Sequence, residues 1–100
     1  MLPIEIVMRK KNICKSGKHF RLYITKYWVI NRIVRLDCVY SLKFIKDKKT
    51  LLVLEDKTLK KIGDRYYFTI PKRFIDNETL GIKILYKIIL IPTRRIENAA

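Results

Sequence analysis

Basic side chains flank two glycine bends in this chain, at Gly17 and Gly63, and continue along the strand-like segments beside them. Lysine and arginine side chains donate hydrogen bonds and carry positive charge, so the chemistry open to them here is pairing with anionic oxygens such as phosphates. Such residues neutralise phosphate charge and make binding salt-dependent more than they read bases. The pattern predicts phosphate contacts at Lys15, Arg21, Lys26, Arg32, Arg35, Lys61, Lys72 and Arg73.

The charge balance of the whole chain supports this interpretation. The 100 residues carry 23 Lys or Arg against nine acids, a net charge of +14. Residues 1–50 carry 13 basic and three acidic residues, and residues 51–100 carry ten and six, so the first half is the more electropositive. Lysine enrichment from an AT-rich genome or a hot habitat is the alternative, but it usually brings glutamate with it. A nucleic acid is therefore favoured over a merely solvated surface.

Other kinds of chemistry have little support in the sequence. His19 is the only histidine, no glycine-rich phosphate loop occurs, and the acids have no paired spacing typical of general acid–base catalysis. Cys14 and Cys38 with one histidine are too few ligands for a tetrahedral metal site, and a disulfide between them is left open. We therefore expect no enzyme, cofactor, metal or small-molecule substrate.

Aromatic residues gather around the same strands, at Tyr66-Tyr67-Phe68 and at Tyr23 and Tyr27. They could form a stacking platform for single-stranded nucleic acid. A core with tyrosine hydroxyls at its rim is the favoured interpretation, since strand alternation explains half of the cluster.

The membrane is not an expected partner. No apolar run approaches the ~20 residues that span a bilayer. The N-terminal segment places its basic cluster after its apolar residues and contains Glu5, which is not typical of a signal peptide. We expect a soluble, cytoplasmic protein.

An internal repeat organises the chain. A shift of 46 positions aligns Gly17 with Gly63, Ile24 with Ile70 and Asn31 with Asn77 without a gap, and nine of 42 pairs between residues 4 and 45 and their partners are identical. Chance would give roughly three or four. A unit of about 45 residues seldom buries enough apolar surface to fold alone, so the two halves must share a core.

Alternation and turn signals predict a mostly β chain with short helical segments. We expect strands at 4–9, 20–24, 36–45, 51–54, 65–70 and 82–91, a turn or helical turn at 25–31, and a short helix from Pro71 to Asn77. Charged turns are expected at 46–50 and 55–58, and Pro92 should end the last strand.

The repeat register predicts how the halves interlock. Ile4–Met8 should lie beside the second repeat as Leu51–Leu54 lies beside the first, which would close a pseudo-two-fold β-barrel and hide its edge strands. We expect one domain at 1–92, made of repeats at about 4–49 and 50–92, and a flexible tail at 93–100.

The sequence Thr69-Ile70-Pro71-Lys72, followed by Leu80-Gly81-Ile82, resembles the swapped-hairpin module of AbrB-type DNA-binding regulators and antitoxins. The resemblance implies a swapped-hairpin β-barrel built from two tandem repeats that presents basic loops to DNA. It also adds Lys18 and Arg65, which follow the bend glycines, to the phosphate contacts. The basic pair that the family often carries in its short helix falls here on Ile75 and Asp76.

Three functions from different classes follow. The leading hypothesis is a transcriptional regulator that binds double-stranded DNA as a monomeric pseudo-dimer or a homodimer. The second is a single-stranded DNA or RNA binder that uses exposed aromatics. The third is a small basic inhibitor or interaction protein, because short, strongly basic chains resemble small proteins of archaeal viruses and plasmids.

Overall fold

The computed structural model describes residues 4–96, which form a mostly β chain with two five-residue helices. The predicted mostly β fold with short helices is confirmed. In chain order the elements are β1 (Ile6–Lys11), β2 (Cys14–Ser16), β3 (His19–Ile24), α1 (Lys26–Ile30), β4 (Cys38–Lys46), β5 (Lys49–Thr58), β6 (Lys60–Ile62), β7 (Arg65–Ile70), α2 (Lys72–Asp76) and β8 (Tyr86–Arg95).

The strands form two antiparallel sheets of four strands each. The first, which we call the long sheet, has the order β1-β8-β4-β5, and the second, the short sheet, has the order β2-β3-β7-β6. Residues alternate between buried and more exposed along β3 and β7 in the same pattern, because each strand turns one face to the core. Leu22 and Phe68 from the short sheet are fully buried, as are Leu42, Phe44 and Leu90 from the long sheet. The core therefore lies between the two sheets.

The two halves of the chain adopt the same local structure 46 residues apart. The bounds of β2 and β6, of β3 and β7, and of α1 and α2 differ by this number at both ends. Backbone conformation follows the same offset, since Gly17 and Gly63 have φ of 60° and 58°, and Lys10 and Asp56 have φ of 56° and 55°.

A tyrosine holds the loop after each helix in the same way. The Tyr40 hydroxyl accepts a hydrogen bond from the backbone N–H of Arg35 at 2.9 Å, and the Tyr86 hydroxyl accepts one from Gly81 at 2.8 Å. Both tyrosines are buried, and both pairs are related by 46 residues. The loops of the two halves are therefore fixed by the same buried polar contact.

The halves interlock through both sheets. In the short sheet Leu22 pairs with Phe68, and in the long sheet Lys43 pairs with Ile89, so residues 46 apart face each other at the centre of each sheet. β1 pairs with β8 from the second half, whereas β5 pairs with β4 from the first. This is the placement that the repeat register predicted for residues 4–8 and 51–54.

The predicted closed barrel is not found among the described strands, which instead form two sheets with β1, β5, β2 and β6 at their edges. The physical reason lies in two bulges. The positive φ of Lys10 and of Asp56 falls where the pairing of β1 with β8 and of β5 with β4 shifts register. Each edge strand bends there, and the chain passes into the short sheet over the buried Ile13 or Leu59.

Several predicted boundaries differ from the observed ones. β5 continues through the predicted turn at 55–58, because the bulge at Asp56 shifts the pairing register with β4 and the strand resumes after it. β8 begins at Tyr86 rather than at residue 82 and runs past Pro92 to Arg95. Pro92 is tolerated because it lies beside a second register shift, where ladder bonds are already interrupted. Residues 97–100 of the predicted tail lie outside the described residues.

The recurring tyrosine contact predicts matched losses of stability. Tyr40→Phe and Tyr86→Phe should each lower the free energy of unfolding by about 1–3 kcal/mol, since each leaves a backbone N–H without its acceptor. Urea denaturation of the two variants measures this. The exposed Tyr27 offers the control, because Tyr27→Phe should leave stability unchanged. A cost confined to one of the two buried tyrosines would contradict the structural equivalence of the halves.

Candidate nucleic-acid interface

The outer face of the short sheet carries alternating arginine and tyrosine side chains. Alternation along β3 turns Arg21 and Tyr23 away from the core, and alternation along β7 does the same for Arg65 and Tyr67. The antiparallel register places Tyr23 directly opposite Tyr67. We call these four residues the arginine–tyrosine face.

Each guanidinium of this face packs on a tyrosine of the neighbouring strand. The Cζ atom of Arg21 lies 4.4 Å from the ring centroid of Tyr67, and that of Arg65 lies 3.9 Å from the ring centroid of Tyr23. The two rings meet edge to face with centroids 6.0 Å apart. Cation–π attraction of about 0.5–1 kcal/mol per pair at exposed sites holds the arginines in place.

Hydrogen bonds tie Arg21 to its own strand and to β2. Its Nη1 atom donates to the Ser16 hydroxyl at 3.3 Å and to the Tyr23 hydroxyl at 3.4 Å. The hydrogen bond from Arg21 lowers the pKa of Tyr23, and the positive charge of Arg65 lowers it further. The same hydrogen bond raises the pKa of Arg21. The side chains thus form one electrostatically coupled group.

No carboxylate of the described residues forms an ion pair with this face, and Asp64 is the acid in the groove lined by Arg65. The ion pairs within residues 4–96 join Arg35 to Asp37, Lys46 to Asp47, and Arg94 to Asp56, and none includes Arg21 or Arg65. The positive charge of the arginine–tyrosine face is therefore directed to solvent.

Two shallow grooves border the face. One, of about 220 Å³, is lined by His19, Arg21, Tyr67 and Thr69. The other, of about 290 Å³, lies at the opposite end and includes Lys26 and Arg65 in its lining. Of the ten residues predicted to contact phosphate, Arg21, Arg65 and Lys26 are thus brought to this surface.

The remaining predicted residues lie elsewhere. Lys15 on β2 pairs with the buried Phe20, and Lys61 on β6 pairs with the buried Tyr66, so neither lysine is paired with a residue of the outer face. Lys18 lies in the turn between β2 and β3. Lys61 lies with its Nζ atom 5.6 Å from the ring centroid of Tyr66.

The basic residues near the helices are also separate from the face. Arg32 and Arg35 line a cavity after α1, where Arg35 is bound to Asp37 at 2.6 Å. Lys72 and Arg73 lie on α2, and the guanidinium of Arg73 packs on the adjacent Phe74 ring at 4.6 Å.

Sequence reasoning missed a second basic surface at the tip of the long sheet. A cleft of about 380 Å³ is lined there by the five cations Arg9, Lys10, Lys46, Lys48 and Lys87, with Asp47 as its acid. We call it the hairpin cleft, since it surrounds the two-residue turn between β4 and β5. The run Lys46-Asp47-Lys48-Lys49 was visible as a charged turn, but only strand pairing brings Arg9 and Lys87 to it.

The hairpin cleft has no equivalent in the other half. The positions 46 residues after Arg9 and Lys10 are occupied by Glu55 and Asp56. The two ends of the long sheet therefore carry opposite charge at these equivalent positions.

Neither cysteine belongs to a metal cluster in the described part of the chain. Within residues 4–96 no three His, Cys, Asp or Glu side chains gather closely enough to hold a metal ion. Cys14 and Cys38 are free thiols that lie in different sheets, and burial raises the pKa of Cys38. Neither α1 nor α2, the helices of the described residues, is long or apolar enough to cross a membrane.

Searches of protein-family models, of curated proteins and of solved structures find no match to this chain. The resemblance to AbrB-type regulators therefore stays a prediction from sequence.

The hydrogen bond from Arg21 to Tyr23 predicts that Tyr23 ionises at lower pH than an ordinary tyrosine. Tyr23 should ionise at a pH below the ordinary pKa of tyrosine, as followed by the ultraviolet absorbance of tyrosinate, and Arg21→Gln should move its pKa back up. Tyr23→Phe identifies the transition by removing it, and Arg73→Gln is the control that should leave it in place.

The lowered pKa of Tyr23 also makes the free energy of unfolding depend on pH. At low pH both folded and unfolded chains hold the phenol proton, so the shift contributes nothing. As pH rises through the lowered pKa, the folded chain loses its proton first, and the free energy of unfolding rises until the unfolded chain ionises too. Ionisation of Tyr23 at the ordinary pKa of tyrosine in the wild type would contradict the contact.

Proposed function

We propose that this protein binds double-stranded DNA as a transcriptional regulator and that the arginine–tyrosine face is its principal contact surface. One observation carries the proposal: on a chain of net charge +14, two outward arginines are held on tyrosine rings and take part in none of the ion pairs of residues 4–96. A basic surface whose arginines are held in place and form no ion pair within residues 4–96 fits a polyanion better than it fits solvent.

The tyrosine packing prepares the arginines for this role. A guanidinium that packs on a ring keeps N–H donors for phosphate oxygens or for the O6 and N7 atoms of guanine. In Arg21 these are the donors other than Nη1, which is bound to Ser16 and Tyr23. Because Arg21 and Arg65 are already ordered, less side-chain entropy is lost when they bind.

Duplex DNA is favoured over single strands by the same geometry. Single-strand binders stack bases on free aromatic faces. Here Tyr23 and Tyr67 are half-buried, and each has a ring face occupied by a guanidinium. Tyr66 and Phe68 are buried in the core, and Tyr27, the remaining member of the aromatic cluster, is exposed on α1 and not on this face. Base stacking would first have to displace the arginines.

The finer architecture is part of the proposal. We infer that the two sheets are a tandem form of the swapped-hairpin arrangement, contained as a pseudo-dimer in one domain that extends past the predicted end at residue 92 to the end of β8 at Arg95. The recurrence of elements at 46 residues and the pairing of β1 with β8 and of β5 with β4 support it.

The hairpin cleft supplies a second candidate contact with phosphate. Its five cations border one cavity and face a single carboxylate, Asp47, which lies 4.0 Å from Lys46. Because it belongs to the long sheet, it would extend the footprint beyond the arginine–tyrosine face.

Fluorescence anisotropy with a labelled duplex at increasing salt tests the proposal. Affinity should fall steeply with salt, and Arg21→Gln with Arg65→Gln should weaken binding about tenfold or more at moderate salt. The slope of log affinity against log salt should shrink by about 2, at roughly 0.9 for each lost phosphate contact.

The matched control is Lys83→Gln with Arg94→Gln, which removes the same charge from exposed positions outside both basic surfaces. It should change binding much less than the arginine pair does. Equal losses for the two double variants would reduce the effect to net charge, and tighter binding to the matching single strand would favour the single-strand alternative.

A further inference from the structure

Helix α1 exposes large apolar side chains that the core does not use. Tyr27 is 66% exposed and Ile30 is 63% exposed, and their i, i+3 spacing places them on one side of the helical turn. Ile33, which is 37% exposed, follows in the next turn of the chain. Exposed apolar side chains that gather on one part of a protein surface are often a site of interaction.

The second half of the chain shows that the fold does not need these side chains. The positions 46 residues later are Arg73, Asp76 and Thr79, and α2 nevertheless forms with the same length and nearly the same end geometry. The residues after the two helices, Asn31 and Asn77, have φ and ψ of −86° and 10°, and of −88° and 7°.

Packing against the core is done by other residues in both helices. Trp28 and Val29 of α1 are partly buried against the core, as are their counterparts Phe74 and Ile75 of α2. Tyr27 and Ile30 therefore lie on a surface that one half keeps apolar and the other half makes polar.

We propose that this α1 surface, made of Tyr27, Ile30 and Ile33, binds a segment of another protein that combines apolar and acidic side chains. The exposed Lys26 and Arg32 flank the apolar residues and occur in none of the ion pairs of residues 4–96. Carboxylates beside the apolar side chains of the partner would pair with both.

The charge of Lys26 and Arg32 distinguishes between the candidate occupants of the α1 surface. A second copy of this chain facing the same surface would bring Lys26 and Arg32 against their own counterparts. DNA would pair with the two cations but gain nothing from Ile30 and Ile33. An acidic, apolar protein segment satisfies both kinds of residue.

A peptide titration followed by amide NMR of the labelled full chain tests the proposal. The probe is a synthetic amphipathic peptide of leucine and glutamate, and the control peptide has lysine in place of each glutamate. The acidic peptide should shift signals of residues 25–36 and leave the equivalent residues 71–82 unchanged, and the basic peptide should shift neither.

The matched variant replaces three residues of the first half with those at the equivalent positions of the second half, as Tyr27→Arg, Ile30→Asp and Ile33→Thr. It should weaken peptide binding at least tenfold while duplex binding stays the same. Ile30→Asp alone is a milder variant that should weaken it in the same direction, because it removes apolar surface and repels the acidic peptide, and it keeps the test valid if the triple variant folds poorly.

Three results would overturn the proposal. The first is peptide binding that maps to the arginine–tyrosine face or persists in both variants. The second is self-association of the wild type that the triple variant abolishes, because the occupant would then be a second copy. The third is loss of duplex binding in the folded variants, because α1 would then belong to the DNA surface.

Discussion

The pairing of β3 with β7 is the constraint on which the rest of the molecule depends. It brings the two halves together at Leu22 and Phe68, which are fully buried and contribute to the core from the centre of the short sheet. Because side chains alternate along a strand, the same pairing places arginines and tyrosines together on the other face. Stability and the candidate binding surface thus arise from opposite sides of one strand pair.

The two halves of the chain share the same local backbone structure but carry chemically different side chains at equivalent positions. Arg21 corresponds to Tyr67, and the basic Arg9 and Lys10 correspond to Glu55 and Asp56. The core positions, in contrast, stay apolar in both halves, as at Leu22 and Phe68. Burial restricts a core position to apolar residues of suitable size, whereas an exposed position on the same backbone is free to diverge. The two halves therefore present unequal surfaces on similar local backbone structure.

Much of this frame could be predicted from the sequence. The 46-residue register gave the placement of the first strand beside the second half, and period-two alternation separated Leu22 from Arg21 and Tyr23. The bulges at Lys10 and Asp56 could not be predicted, since neither residue type signals positive φ as glycine does. Nor could the hairpin cleft, because Arg9 and Lys87 reach Lys46 only through long-range strand register. Local patterns specified elements, and non-local pairing determined which charges meet.

We propose that duplex DNA lies on the outer face of the short sheet. The most direct measurement is NMR detection of the arginine side-chain Nε–H signals while a short duplex is added to the full chain. The account predicts that the signals of Arg21 and Arg65 shift first and furthest, with smaller changes at Arg9 in the hairpin cleft. Shifts concentrated at Arg73 and Arg94, with Arg21 and Arg65 unchanged, would contradict it.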